Sequence, residues 1–203
     1  TITPSGKVPT PITLYSKDIP TEDTWYNGTK ALFTWSLGSD VNTVQTLLGS
    51  HSDSVPTVLY SPPIKSKTLD NLIDGVWYLH IRARNDSGWS TITHRKIRID
   101  QSAPSELKIE ATEKEGALSL LASAKDNLSG VKSFSISSPS LTDAVVVEAV
   151  KGEGSTTLSS LPSGEQKLTV KAFDNAGNST EKELIVKISE RIFEPPVLND
   201  IPE

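Results

Sequence analysis

Short runs in which apolar and polar residues alternate recur along the whole chain. Alternation of this kind buries one face of a β-strand and leaves the other in water. Turn-forming pairs such as Asn27-Gly28 and Ser87-Gly88 separate the runs, at a spacing of roughly 8–12 residues that is typical of antiparallel sandwiches. The clearest runs are Trp77, Leu79, Ile81 and Ala83; Leu168, Val170 and Ala172; and Leu184, Val186 and Ile188. The pattern predicts an all-β protein.

One part of the pattern occurs twice. Residues 69–99, moved forward by 89 positions, meet residues 158–188 without a gap. Gly75 then meets Gly164, and Leu79 meets Leu168. A period this long is typical of separate domains and not of a solenoid repeat. The shared unit reads as a turn, a strand, a tight turn and a strand, which is the last hairpin of an immunoglobulin-like domain.

Length and repeat together predict two tandem immunoglobulin-like β-sandwiches joined by a short linker. The 203 residues suit two domains of about 100 residues each. We expect a linker over residues 1–10, module 1 over residues 11–101 and module 2 over residues 102–190. Residues 191–203 contain Pro195, Pro196 and Pro202 and read as a stiff linker or the start of a third module.

Two segments resemble known repeats. Residues 75–83 and 171–178 are similar to fibronectin type III-like and bacterial immunoglobulin-like tandem repeats. Module 1 resembles in particular the repeats of large surface proteins from uncultured bacteria, through residues 23–27, 32–35, 74–82 and 88–100. Module 2 matches the generic pattern at residues 126–131 and 174–179. The resemblance implies a sandwich fold and an extracellular, cell-surface location; it implies no reaction.

The composition and the absence of known motifs exclude several kinds of catalytic and metal site. Cysteine is absent, which excludes disulfides and thiolate metal sites. The sequence has no nucleophile elbow, no phosphate-binding glycine loop and no recognisable carboxylate pair. We therefore expect no enzyme activity, no cofactor, no metal, no nucleic-acid partner and no membrane span in this fragment, and a monomer.

Module 1 is the more basic half, because residues 1–100 carry 10 basic and 9 acidic side chains (+1), whereas residues 101–203 carry 10 and 16 (−6). Strand parity points several basic residues away from the core. They are a candidate ligand face for an anionic polymer, for which a plain solvated face is the alternative. The face comprises His80, Arg82, Arg84, His94, Lys96 and Arg98.

Two further sites remain open from the sequence. His80 and His94 should lie opposite each other and outward, as a polar pair or as two ligands of a zinc ion. Trp25, Tyr26 and Trp89 would suit stacking on a sugar if exposed. Asp100, Asp126 and Asp174 are the candidates for calcium, although each is also explained by a turn.

Two functions follow as hypotheses. The first is a structural or adhesive spacer of a bacterial cell-surface protein, with cell-wall or host glycans or other surface proteins as partners. The second is a carbohydrate-binding accessory module of a secreted enzyme. An exposed pair of tryptophans would favour the second.

Overall fold

The computed structural model describes residues 6–191, and in this range every regular element is a β-strand. The chain divides into two compact units, with the division between Ser102 and Ala103. The described residues include no helix long and apolar enough to cross a membrane. The prediction of an all-β chain with two sandwiches is confirmed.

Module 1 contains eight strands in two sheets. The larger sheet has the order β1-β8-β6-β3-β4, with β7 paired to β6, and the smaller pairs β2 with β5. The strands are β1 (Trp25–Tyr26), β2 (Ala31–Thr34), β3 (Thr43–Gly49), β4 (Val58–Tyr60), β5 (Ser66–Leu69), β6 (Gly75–Asn85), β7 (Gly88–Trp89) and β8 (Thr93–Ile99).

The core of module 1 lies between these sheets. Leu79 and Ile81 of β6 and Ile97 of β8 are fully buried, and from β2 so is Phe33. Trp35 packs in the same cluster, and its indole Nε1 donates to the carbonyl of Ile64 at 3.0 Å. Alternation along β6 therefore produces the expected buried face.

Module 2 has a three-stranded sheet, β13-β10-β9, and a four-stranded sheet, β12-β11-β14-β15. Leu118, Phe134 and Leu168 are among its most buried side chains. The strands are β9 (Ser105–Lys114), β10 (Ala117–Lys125), β11 (Val131–Ser137), β12 (Val145–Glu148), β13 (Glu153–Leu158), β14 (Gly164–Asp174) and β15 (Ser179–Ile188).

The sequence repeat is also a repeat of strand register. In module 1 Gly75 lies opposite Ile99, and in module 2 Gly164 lies opposite Ile188, so that each residue of the pair is displaced by 89 positions. Both glycines have φ values that favour glycine, 134° for Gly75 and 99° for Gly164. The same local geometry therefore starts the last hairpin in both modules.

The segment before β1 is docked on module 1 without forming a regular strand. Pro9, Pro11 and Pro20 interrupt it and lack the N–H that a ladder needs. One backbone bridge joins Tyr15 to Thr34 of β2. Side chains of β6 and β8 hold other backbone carbonyls of the segment, through Asn85 Nδ2 to Lys7 (2.8 Å), Thr93 Oγ1 to Ile12 (2.6 Å) and Arg95 Nη2 to Ile19 (2.9 Å).

These contacts differ from the linker expected over residues 1–10, because the chain is anchored to module 1 from Lys7 onward. Residues 1–5 lie outside the described residues. So do residues 192–203, and with them nearly all of the expected C-terminal linker.

The repeat provides a matched pair of core substitutions. Leu79 and Leu168 occupy equivalent positions and are both 0% exposed. We expect Leu79→Ala and Leu168→Ala each to lower the free energy of unfolding of its own module by about 2–5 kcal/mol, since each leaves a cavity. Trp fluorescence during urea unfolding would report module 1, which holds all four tryptophans.

The unfolding of module 2, which has no tryptophan, would be followed by hydrogen exchange of its backbone amides. Ile185→Ala is the control, because Ile185 is 72% exposed and its truncation should cost little. A loss below 1 kcal/mol in either leucine variant would contradict the burial of these positions.

Candidate functional site

The candidate ligand face is the side of the larger module 1 sheet that is turned away from the core; we call it the outer face. Buried Leu79, Ile81 and Ala83 alternate along β6 with the residues that point outward. Across the strands, Tyr78 lies opposite Lys96, and Val76 opposite Arg98. Tyr78, His80, Arg82 and Arg84 come to this face from β6, and His94, Lys96 and Arg98 come from β8.

The cations of the outer face have few acidic partners. Among the described residues, Arg82, Arg84 and Lys96 have no carboxylate within 4.0 Å, and Arg98 lies 3.8 Å from Asp23. Asp23 is 97% exposed, so solvent screens that pair strongly. We call Arg82, Arg84, Lys96 and Arg98 the basic strip.

Neutral groups hold the arginines in place. Arg82 Nε donates to the side-chain oxygen of Gln45 at 2.9 Å, and its guanidinium lies 4.4 Å from the ring centroid of Trp89. Arg84 lies 5.6 Å from the same ring. Cation–π contact of this kind fixes a guanidinium without neutralising it.

The aromatic residues proposed for sugar stacking are not brought together. Trp25 lies beside Arg98, whose guanidinium is 6.0 Å from its ring, and Trp89 pairs with Arg84. Eight residues of β6 separate these two levels, a distance of about 27 Å along a strand. Tyr26 packs against the core. The three residues therefore do not form a joint stacking platform.

His80 and His94 face each other directly, with 2.6 Å between their Nδ1 atoms. The expected pairing is present, but the expected accessibility of both rings is not. His94 is exposed, whereas His80 is 0% exposed. His80 therefore cannot itself touch a ligand on the outer face.

The surroundings of His80 lower its pKa. Burial is the largest cause, because it penalises the charged imidazolium, and the neighbouring His94 adds to it. The backbone of His51 and the carboxylate of Asp53 act in the opposite direction. Nε2 of His80 is buried and has no hydrogen-bond partner within ordinary distance among the described residues.

The histidine pair lacks the ligands for a closed zinc site. A tetrahedral site needs three or four protein ligands. In the described part of the chain, no third His, Asp or Glu ligand atom joins these two within 4.8 Å. The geometry is that of a hydrogen-bonded imidazole pair.

Two of the three calcium candidates, Asp100 and Asp126, hold turns. In module 2 the Asp126 carboxylate accepts from the backbone N–H groups of Leu128 at 3.1 Å and Gly130 at 2.6 Å. Asp174 is buried, with a carboxylate oxygen within 4.8 Å of one of Asp126. In module 1 Asp100 accepts from the backbone N–H of Ser102 at 3.1 Å. Asp100 and Asp126 thus make the turn contacts that their sequence positions predict.

The equivalent face of module 2 carries balanced charge. Lys167 pairs with Glu183 at 2.8 Å, and Lys171 pairs with Glu181 at 3.0 Å. Lys171 occupies the position of Arg82, and Glu183 that of His94, 89 residues further along the chain. The fold therefore does not require an unneutralised basic face at this position.

The sandwich architecture is similar to that of fibronectin(III)-like modules of known structure. No family model matches the chain, and neither does any curated protein. The fibronectin(III)-like modules of Clostridium thermocellum CbhA are similar, with a TM-score of 0.50, 13% sequence identity, and coverage of 93% of this chain and 100% of theirs. A segment of two fibronectin type III domains from chicken tenascin gives a TM-score of 0.38 at 17% identity, over 89% and 99% of the chains. The chain has a fibronectin type III-like fold.

Sequence reasoning missed two groups at this site. Gln45, which accepts a hydrogen bond from Arg82, lies on β3. Its neighbours on that strand are uncharged, so that the sequence gives no sign of a binding site there. The groups that act electrostatically on His80 include the backbone of His51 and the carboxylate of Asp53, which follow β3 and are distant in sequence. Parity along β3 places Gln45 on the outer side, since the neighbouring Val44 and Thr46 are buried.

The His80 pKa leads to a prediction on stability. A pKa below the ordinary value of 6.5 means that the unfolded chain takes up the proton first as the pH falls. The contribution of neutral His80 is therefore complete above pH 6.5 and is lost as the pH falls below it. We expect the Trp-monitored urea midpoint of module 1 to decrease from pH 7.5 to pH 5.5.

His80→Leu should flatten this dependence, because the titrating group is gone. His51→Gln is the control: His51 is exposed, and its backbone is kept. A dependence as steep in His80→Leu as in the original chain would show that another group is responsible.

Proposed function

We propose that this chain is a non-catalytic spacer of a bacterial cell-surface protein, whose modules support other parts of that protein and offer limited contact surfaces. The observation that carries the proposal is the architecture itself: two successive fibronectin type III-like sandwiches. The resemblance of module 1 to repeats of bacterial surface proteins supplies the extracellular setting.

The pairing of the first strand of module 1 with its last strand supports a load-bearing role. The first strand, β1, pairs in parallel with the last strand, β8, through Trp25 beside Arg98 and Tyr26 beside Ile99. The backbone N–H of Asp100 donates to the carbonyl of Tyr26 at 2.9 Å. Pulling the two ends of a parallel pair apart shears its hydrogen bonds together, whereas an antiparallel hairpin opens one bond at a time.

Ionisable side chains with shifted pKa values also have structural tasks. Glu113 accepts from the Ser189 hydroxyl at 2.6 Å and from the Gly116 N–H at 2.7 Å, and these bonds lower its pKa. Glu106 pairs with Lys125 at 2.8 Å, and that hydrogen bond lowers its pKa. Both carboxylates join neighbouring segments of module 2 and are not poised as a general acid.

The second candidate function, a carbohydrate-binding accessory module, receives less support. Stacking on a neutral sugar needs a free aromatic face. Guanidinium groups lie over both Trp25 and Trp89, and the two rings lie at opposite ends of the outer face.

Single-molecule force spectroscopy tests the proposed spacer role. With the chain held between handles at its two ends, we expect two discrete unfolding events. Each should lengthen the chain by about 30 nm, since an extended residue spans about 3.6 Å. Gradual extension without discrete events would contradict the proposal.

A substitution in β1 tests the parallel closure of module 1. Tyr26→Pro should lower the force of one of the two events, because proline supplies no backbone N–H to the β1–β8 ladder. Tyr26→Phe is the control, since it keeps both the backbone and the ring that packs on the core. An unchanged force in Tyr26→Pro would show that this pair does not bear the load.

A further inference from the structure

We propose that the basic strip of module 1 binds an acidic polysaccharide, a linear polymer that carries carboxylate or sulfate groups at intervals. This binding activity goes beyond the spacer role and does not depend on it. Arg82, Arg84, Lys96 and Arg98 supply the contacts.

The first argument is uncompensated charge. Three cations of the strip have no carboxylate within 4.0 Å among the described residues, and the fourth has one exposed partner. At the equivalent positions of module 2, 89 residues further along the chain, Lys171 pairs with Glu181, and the uncharged residues Phe173 and Ile185 replace Arg84 and Lys96. Clustered cations repel one another at a cost in stability, and an anion from outside would remove that cost.

The second argument is preorganisation. The side-chain oxygen of Gln45 accepts a hydrogen bond from Arg82 Nε. The Trp89 ring makes cation–π contacts with the guanidinium groups of both Arg82 and Arg84. None of these contacts uses a carboxylate. No hydrogen bond of the Arg82 terminal amino groups occurs within the described range, so that these groups can donate to a carboxylate or sulfate in paired geometry.

The third argument is the shape of the strip. Arg82 and Arg84 are two residues apart on one strand, about 7 Å. Arg98 lies opposite Val76, so that the strip extends over about 27 Å from Arg84 to Arg98. Its width is that of two adjacent strands, about 5 Å. A small anion would occupy one end only, whereas an extended polymer with repeated charges would contact all four cations.

The nature of the surface favours a polysaccharide over other polyanions. Single-stranded nucleic acid is usually held by free aromatic faces on which its bases stack, and here arginine side chains lie over Trp89 and Trp25. An acidic protein would be expected to bury a central apolar patch. The centre of this strip is the imidazole pair of His80 and His94.

The binding experiment uses the whole chain and two probes that separate the sources of negative charge. Heparin oligosaccharides present sulfate and carboxylate, polygalacturonate presents carboxylate alone, and dextran of similar size is neutral. Titration would be followed by calorimetry and by Trp fluorescence, since Trp89 lies within the site. We expect binding of at least one acidic probe in 50 mM salt, clear weakening in 300 mM salt, and no binding of dextran.

Variants locate the site. Arg82→Gln, Arg84→Gln and Lys96→Gln should each weaken binding, by about tenfold for an arginine that makes charge-assisted hydrogen bonds. Lys171→Gln is the matched control, because Lys171 occupies the Arg82 position in module 2 and should leave affinity unchanged. Unfolding midpoints would be compared for every variant. Lys96 makes no hydrogen bond or ion pair within the described residues, so that Lys96→Gln tests the site if an arginine variant is unstable.

Several outcomes would overturn the proposal. One is the absence of binding to either acidic probe in 50 mM salt. Another is equal loss of affinity in Lys171→Gln, which would show diffuse attraction. Tighter binding of a single-stranded oligonucleotide of equal charge would identify a nucleic-acid surface instead. Self-association of the chain that is abolished by Arg82→Gln, without polysaccharide binding, would identify a protein interface.

Discussion

Leu79 lies opposite Arg95 and His80 opposite His94 because β6 and β8 pair in a single register, and the rest of module 1 depends on that register. Successive side chains of a strand point to opposite faces. A slip of one residue would bring Arg82 and Arg84 inward and turn Leu79 and Ile81 to water. The buried cluster on one side of β6 thus fixes the position of each charge on the other side.

The two modules show which features this register requires and which it leaves free. Both preserve the inward side: Leu79 and Leu168 are equally buried, and each hairpin begins at a glycine with positive φ. The outward side differs, with a stacked arginine at position 82 in module 1 and a lysine–glutamate pair at position 171 in module 2. Packing therefore constrains the core, while the outer face varies without loss of fold.

The contrast between a constrained core and a variable outer face explains what could be predicted from the sequence. Strand alternation and the repeat were enough for the fold class, for the opposition of His80 and His94 and for the outward direction of Arg82. The burial of His80 could not be predicted, because strand parity gives the direction of a side chain and not whether another segment covers it. The docking of residues 7–10 was also missed, since Pro9 interrupts them and the side chain of Asn85, not a strand ladder, holds the Lys7 carbonyl.

The arrangement around Trp89 links stability to function. A surface that served only solubility could neutralise its cations with carboxylates, as module 2 does with Glu181 and Glu183. Module 1 instead holds Arg82 with an amide oxygen and an indole ring, so that both position and charge are kept. Cation–π contact contributes about 0.5–1 kcal/mol at exposed sites, which offsets part of the repulsion between neighbouring guanidinium groups. Positioned, uncompensated charge is of no use to a spacer as such, but it is the property that recognition of a polyanion requires.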